Sequence, residues 1–446
     1  MNNGEGHTIY MLGIGGIGMS ALARYYHSQG DTVAGYDRTP SPLTRQLENE
    51  GMAIHYDDKP ELLPALIDMV VYTPAVPYDL KEFETLRQRD LPILKRSEAL
   101  GKVTEGHFTI AVAGTHGKTT TTAMVAHILN HCGISTTAFI GGIANNFESN
   151  LLLSNDKDFV IVVEADEFDR SFLRLHPNIS IINSIDSDHL DIYGDRQHLV
   201  QSFNDFAHLT ESHVIVKEGL AVQTDRGIRF GFGEDCDYRS EIIKSAKGIT
   251  DFVIHDETRA TEVKLPMAGL HNVLNATAAF IAARQIGLAP EAIAKALASF
   301  KGVKRRFDIR VNNERHCYID DYAHHPEEIR SCLSAVRSSF PDKRLTLIFQ
   351  PHLFSRTRDF MDGFAEVLAL ADELILLDIY PARELPIEGI TSKTLLDKVQ
   401  LDDKRICSKP ELVDLIDKEK PELLITMGAG DIDRFVEPIE NMIKTW

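Results

Sequence analysis

Gly114-Thr115-His116-Gly117-Lys118-Thr119-Thr120 follows the apolar run Phe108-Thr109-Ile110-Ala111-Val112 and opens a helical pattern. A β-type run, a glycine loop and a helix in that order are the layout of a phosphate-binding loop. The glycines let backbone N–H groups wrap an anion at a helix N-terminus. Lys118 then neutralises the terminal phosphates of a nucleotide such as ATP, and the Thr119 hydroxyl can ligate Mg2+. Val112 stands where the usual pattern carries its first glycine, so the loop is the shorter G-T-x-G-K-T form.

Such a loop needs a carboxylate near its metal. Downstream, the run Phe159-Val160-Ile161-Val162-Val163 delivers Glu164, with Asp166, Glu167 and Asp169 close behind. Parallel α/β sheets bind ligands at the C-terminal ends of their strands, which favours Glu164 as the metal carboxylate. The next β-type run, Ile179 to Ile185, leads into Asp186-Ser187-Asp188-His189-Leu190-Asp191. His189 therefore falls at the same edge, where a metal or phosphate role is expected. His271-Asn272-Val273-Leu274-Asn275 begins a long helical stretch to Gly287. Asn272 and Asn275 share a face of it; they either cap the helix or bond a nucleotide.

Upstream, Gly13-Ile14-Gly15-Gly16-Ile17-Gly18 lies between the strand-like Ile9-Tyr10-Met11-Leu12 and a helix, and Asp37 ends the following strand. In a Rossmann unit these glycines admit a diphosphate to the helix N-terminus, and the acid accepts from a ribose hydroxyl. The motif by itself suits NAD and a UDP-sugar equally.

β-type and helical patterns alternate to the end of the chain, which predicts α/β architecture with largely parallel sheets. We expect three domains: a Rossmann-like domain over 1–106, a central P-loop ATPase domain over 107–310 and a second Rossmann-like domain over 311–446. Within the central domain, 225–266 reads as irregular with β character, and a second helix spans about Glu291 to Phe300. The third block offers strands at Cys317–Asp320, Leu345–Phe349, Glu373–Leu377 and Leu423–Thr426.

A net charge of −19 argues against non-specific nucleic-acid binding, which needs a basic surface. The 5 cysteines contain no CxxC pair, as expected in a reducing cytosol. The N-terminal residues show no signal-peptide pattern, and no apolar run is long enough to span a membrane. A cytoplasmic protein without nucleic-acid or membrane partners is expected.

Taken in order, Gly114 to Thr119, Glu164, His189, Asn272 with Asn275, Arg306 in Lys304-Arg305-Arg306-Phe307-Asp308, and Asp321-Tyr322-Ala323-His324-His325-Pro326 resemble the Mur ligase superfamily. Gly13 to Ser20, Glu164-Ala165-Asp166-Glu167, Phe349-Gln350-Pro351-His352, Ser355-Arg356-Thr357-Arg358 and Gly428-Ala429-Gly430-Asp431-Ile432 resemble its alanine-adding branch. The resemblance spans nearly the full chain.

It implies an amide ligase that joins L-alanine to UDP-N-acetylmuramate through an acyl phosphate, using ATP and two Mg2+ ions, in peptidoglycan precursor synthesis. Gly15, Gly16, Ile17 and Gly18 would hold the UDP diphosphate, with Asp37 near the uridine. Gly114, Thr115, His116, Gly117, Lys118, Thr119, Thr120, Asn272, Asn275, Arg306 and Asp321 would surround ATP. Thr119, Glu164 and His189 would bind the metal ions; Lys118, Glu164, His189 and Arg306 would be catalytic. Tyr322, His324 and Arg356 would face the amino acid. Two departures, Leu353 after the Gln-Pro-His motif and Arg383 in Ala382-Arg383-Glu384, fall where that pocket is expected. Sites drawn from three domains imply closure around the reactive intermediate.

Three other readings stay open. A recycling ligase that adds a preformed peptide to the same UDP-sugar would share the ATP motifs. An NAD-dependent oxidoreductase would explain Gly13 to Asp37 but not Lys118, Glu164 and His189. A P-loop switch whose output is binding would leave the first glycine loop unexplained.

Overall fold

The computed structural model describes residues 6–185, 196–382 and 384–446. The chain divides into two compact units: residues up to 241 with 254–261 and 274–300, and residues 242–253, 262–273 and 301–446. Three sheets organise these residues, and each is covered by helices.

The first sheet has five strands in the order Ala53–His55, Thr32–Tyr36, Thr8–Leu12, Met69–Tyr72 and Ile93–Lys95. All of its pairings are parallel. The glycine loop after Thr8–Leu12 ends at Gly16, which caps the helix Ile17–Ser28. That helix rests on the central sheet: Asn150 Nδ2 donates to Ile17 O and Ser20 Oγ, and Arg24 Nη1 donates to Asn150 Oδ1 at 2.7 Å. Met19, Leu22, Phe139, Leu151 and Ile161 join one continuous core there.

The second sheet has ten strands, with Ile179–Ile182, Thr109–Ala113, Val160–Glu164 and Thr136–Ala144 adjacent and parallel at its centre. The helix Lys118–His131 after the P-loop carries Thr119 to Thr122 in succession, a poor helix-forming run, yet every residue from Thr119 to Leu129 is buried. Packing on all sides, rather than propensity, holds this helix.

Residues 225–266 are more regular than their sequence suggests. They form the strands Gly227–Gly231, Tyr238–Ala246, Ile249–His255 and Ala260–Leu265, which extend the same sheet. Ala260–Leu265 alternates exposed and buried residues, as a sheet with one solvated face does. Its Thr, Glu and Lys residues hide that alternation from a search for apolar runs. Element ends also differ: the strand from Ile179 stops at Ile182, and the two helices are Leu270–Gln285 and Pro290–Leu297.

The third sheet has the order Asp308–Asn312, Cys317–Asp321, Leu423–Met427, Leu345–Phe349, Glu373–Leu376 and Lys404–Ile406. Only its first strand is antiparallel. The strand–helix alternation therefore yields the expected α/β class.

Candidate active site

Strand register brings the phosphate loop and its carboxylates to one edge. Val112 pairs with Glu164 and Ala113 pairs with Ile182, so the loop, Glu164 and Asn183-Ser184 leave three neighbouring strands together. Thr115 N donates to Ser184 O at 3.2 Å, His116 N donates to Ser184 Oγ at 2.8 Å, and the Thr115 and Ser184 hydroxyls lie 2.9 Å apart. Ser184, which belongs to no motif in the sequence, thus shapes the loop from the next strand. Thr119 and Thr120 are buried at the start of the helix.

Gly117 has φ +81°, and a Cβ there would lie 2.5 Å from Asn275 Oδ1. Asn275 therefore sits directly over the loop. Asn272 is buried, and its Nδ2 donates to Ala268 O at 2.7 Å at the start of its own helix.

Lys118 Nζ donates to Gly114 O at 2.7 Å and to both oxygens of Glu167, at 3.0 and 2.8 Å. The Glu167 side chain has no exposed surface. Burial pushes its carboxyl up, against the opposing pull of Lys118. Burial also disfavours the Lys118 ammonium, but Glu167, Glu164 and Asp166 outweigh it and hold the lysine above its ordinary value. Glu167 was only one of several acids in the sequence; the fold makes it the partner of the loop lysine.

Glu164 lies at the end of its strand, and its Oε2 accepts from Gly141 N at 3.0 Å. A Cβ on Gly141 would lie 2.1 Å from that oxygen, so a side chain there would force the Glu164 carboxylate to shift. His189, the other expected metal ligand, lies outside the described residues. Among the described residues no three His, Cys, Asp or Glu side chains converge as a metal cage.

The first glycine loop opens into a cleft of about 260 Å³ that also reaches Glu164 and Asp166. Gly15 N donates to Asp37 Oδ2 at 2.8 Å, so Asp37 braces the loop from the end of the second strand. Arg96, absent from the sequence-level assignments, lines the same cleft and pairs with Asp166 at 3.2 Å.

In the third sheet, Asp321 Oδ2 accepts from Phe307 N and Oδ1 from Ala323 N, each at 2.7 Å. These bonds pin a turn in which Arg305 and Phe307 take φ +61° and +49°, uncommon for residues with a side chain. Burial pushes the Asp321 carboxyl up, with Arg306 opposing. The Arg305 and Arg306 guanidinium carbons each lie 5.2 Å from the Tyr322 ring centre. His324 Nδ1 lies 3.0 Å from Tyr322 O, and its ring meets His352 edge-on with 6.1 Å between centres. His352 stacks on Tyr380.

Burial, then His324 and Arg356, push His352 down to about 4, and its buried Nδ1 has no hydrogen-bond partner among the described residues. The fold thus gathers Tyr322, His324 and Arg356 with His352, whose only signal in the sequence was its place in the Gln350-Pro351-His352 motif. Leu353 takes φ +70°, a costly conformation for leucine, while Arg383 lies outside the described residues.

One pH effect follows. An unfolded histidine takes up a proton near pH 6.5, whereas folded His352 resists it until about 4. Below about 6.5 the unfolded state binds more protons, so stability is lost as pH falls through that window. Urea midpoints for His352→Gln should show a shallower decline from pH 7 to about 4.5 than those of the parent chain. Parallel declines would remove His352 as the cause.

Three family models cover most of the chain: Mur ligase family, catalytic domain, over 8–108; Mur ligase middle domain over 112–283; and Mur ligase, glutamate ligase domain, over 305–430. The chain is 47% identical to a UDP-N-acetylmuramate–L-alanine ligase of Cytophaga hutchinsonii, covering 100% of this chain and 98% of that protein. It is also 47% identical to the protein of that name from Flavobacterium psychrophilum, with 99% of each covered. Among solved structures, UDP-N-acetylmuramate-alanine ligase from Thermotoga maritima matches with a TM-score of 0.86 and 31% identity, covering 98% of this chain and 99% of that one. A murein peptide ligase from Psychrobacter arcticus matches with a TM-score of 0.74 and 25% identity, covering 99% of each. The three models, the full-length identity and the shared edge of P-loop and carboxylates lead to one assignment: the chain belongs to the Mur ligase family.

Proposed function

We propose that this protein joins L-alanine to the lactyl carboxylate of UDP-N-acetylmuramate at the expense of ATP, as a step of peptidoglycan precursor synthesis. The observation that carries the chemistry is the single cleft lined by both the first glycine loop and Glu164. The first glycine loop, which we read as nucleotide-binding, lies beside Glu164 in that cleft. The substrate names follow those of full-length relatives.

A carboxylate does not condense with an amine unaided, because its leaving group is too poor. In the first step a lactyl carboxylate oxygen attacks the γ-phosphorus of ATP, and the bond from that phosphorus to the ADP oxygen breaks. The alanine nitrogen, after losing a proton, then attacks the acyl carbon, and phosphate leaves with the carbon–oxygen electron pair. Both steps gather negative charge, so positioning and electrostatics dominate catalysis.

Lys118 stabilises the transferring phosphoryl group, and the N–H groups of Gly114 to Thr120 cradle the phosphates. Asn272, Asn275, Arg306 and Asp321 serve ATP in this reading. Thr119 and Glu164 offer oxygen donors that suit a hard cation, and they would hold Mg2+. The chemistry such an ion would supply there is neutralisation of the negative charge that phosphoryl transfer gathers. His189 is proposed as a ligand of a second ion.

Gly15 to Gly18 take the diphosphate, with Asp37 near the uridine. Arg356 suits the alanine carboxylate. His324, pushed down chiefly by burial, is held neutral beside it. No helix among the described residues is long and apolar enough to cross a membrane. All 5 cysteines are free, which fits the cytoplasmic location we propose.

Phosphate release with ATP, Mg2+ and UDP-N-acetylmuramate, with and without L-alanine, tests the proposal when the product is weighed. Release that requires both substrates, with a product heavier by one alanyl residue, is expected. Release with a tripeptide amine but not with alanine would move the chain to the peptide-recycling reaction.

A further inference from the structure

We infer that Arg96 is the cation of the diphosphate subsite, held by Asp166 until an anionic substrate arrives. This inference rests on the UDP-sugar reading given above. A diphosphate at the first glycine loop meets backbone N–H groups and a helix N-terminus, but Gly13 to Ser20 contain no lysine or arginine. The cleft beyond the loop is lined by two carboxylates, Glu164 and Asp166. A dianion entering it would be repelled unless a positive charge stood nearby.

Among the described residues, Arg96 is the one cation lining that cleft. It is the first residue of the helix Arg96–Thr104, directly after the edge strand Ile93–Lys95. Its guanidinium lies over the turn that opens the helix Ile17–Ser28: a Cβ on Gly18 would be 2.8 Å from Nη1. Gly18 thus leaves room for an arginine as well as for a phosphate. The planar fork of arginine matches paired phosphate oxygens better than a lysine would.

The pairing of Arg96 Nη2 with Asp166 Oδ2 shows how the charge is kept in place. The Arg96 side chain retains 24% of its exposure, so the guanidinium is accessible from the cleft. Asp166 belongs to the turn that follows Glu164, and Glu167 on that turn holds Lys118. One acidic turn therefore tethers a cation of each nucleotide loop. A diphosphate that draws on Arg96 would compete with Asp166.

The test is a titration with UDP and with uridine, with ADP present to fill the P-loop, on the intact chain and on Arg96→Ala. The intact chain should prefer UDP to uridine. Arg96→Ala should reduce that preference by about 10–100-fold, the range of one lost charge-assisted hydrogen-bonding partner. Affinities for uridine and for ADP should stay within about twofold of the parent chain, since neither ligand uses this charge. Arg96→Gln keeps much of the side-chain volume without the charge and carries the test if the alanine variant does not fold.

An undiminished UDP preference in the variant would overturn the inference while leaving the ligase reading intact. Equal losses for UDP, uridine and ADP would also overturn it, because they would mark Arg96 as a purely structural tie. An intact chain that binds no UDP at all would overturn the ligase reading itself, and the inference with it.

Discussion

Replacing Lys118 by alanine is expected to lower turnover by at least about 10³-fold while UDP-N-acetylmuramate binding stays within about twofold. The lysine is anchored through Gly114 O and Glu167, so its charge is fixed at the mouth of the P-loop before ATP arrives. A preorganised charge at the phosphoryl group costs no rearrangement during transfer, which is why its loss is felt in kcat. The same substitution leaves Glu167 buried without its cation, which costs up to about 3–5 kcal/mol. Stability and catalysis can be separated with the double variant Lys118→Ala/Glu167→Gln. Urea unfolding should show most of the lost stability restored, and phosphate release should remain absent. Near-normal turnover in either variant would remove Lys118 from the mechanism.

Gly141→Ala should cut kcat by about 10–100-fold and raise the Mg2+ concentration needed for half-maximal rate, as expected when a metal ligand is displaced by about an ångström. The added methyl would lie 2.1 Å from Glu164 Oε2, closer than any real contact, and would also threaten the 3.0 Å bond from Gly141 N. Gly141 has no left-handed backbone requirement, so the effect arises from space alone. The added methyl sits in an open cleft rather than a core, so thermal melting should change little. The decisive readout is rate against Mg2+ concentration. An unchanged Mg2+ dependence with normal kcat would mean that Glu164 does not hold the ion.

Neither residue that enforces these effects stands out in the chain. Gly141 lies in the strand Thr136–Ala144, in a stretch with no recognisable motif. Glu167 is one acid among four within Glu164 to Asp169. Arg96 follows a short edge strand and looks like any surface arginine. Their roles depend on which strand lies beside which, and strand order is not written in local sequence.

The amino acids alone determined the parts of this protein that depend on neighbours along the chain. The glycine loops at Gly13–Gly18 and Gly114–Lys118 are such parts, because a tight turn between strand and helix constrains consecutive residues. Glu164 at a strand end and the alternation that predicts parallel sheets are others. Tertiary structure decided what depends on distant residues. It fixed the burial that sustains a helix through Thr119 to Thr122, and it paired Lys118 with Glu167 and Arg96 with Asp166. It also turned residues 227–265 into sheet strands. Pairing energies and burial belong to contacts across the fold, so they exist only once the strands have taken their places.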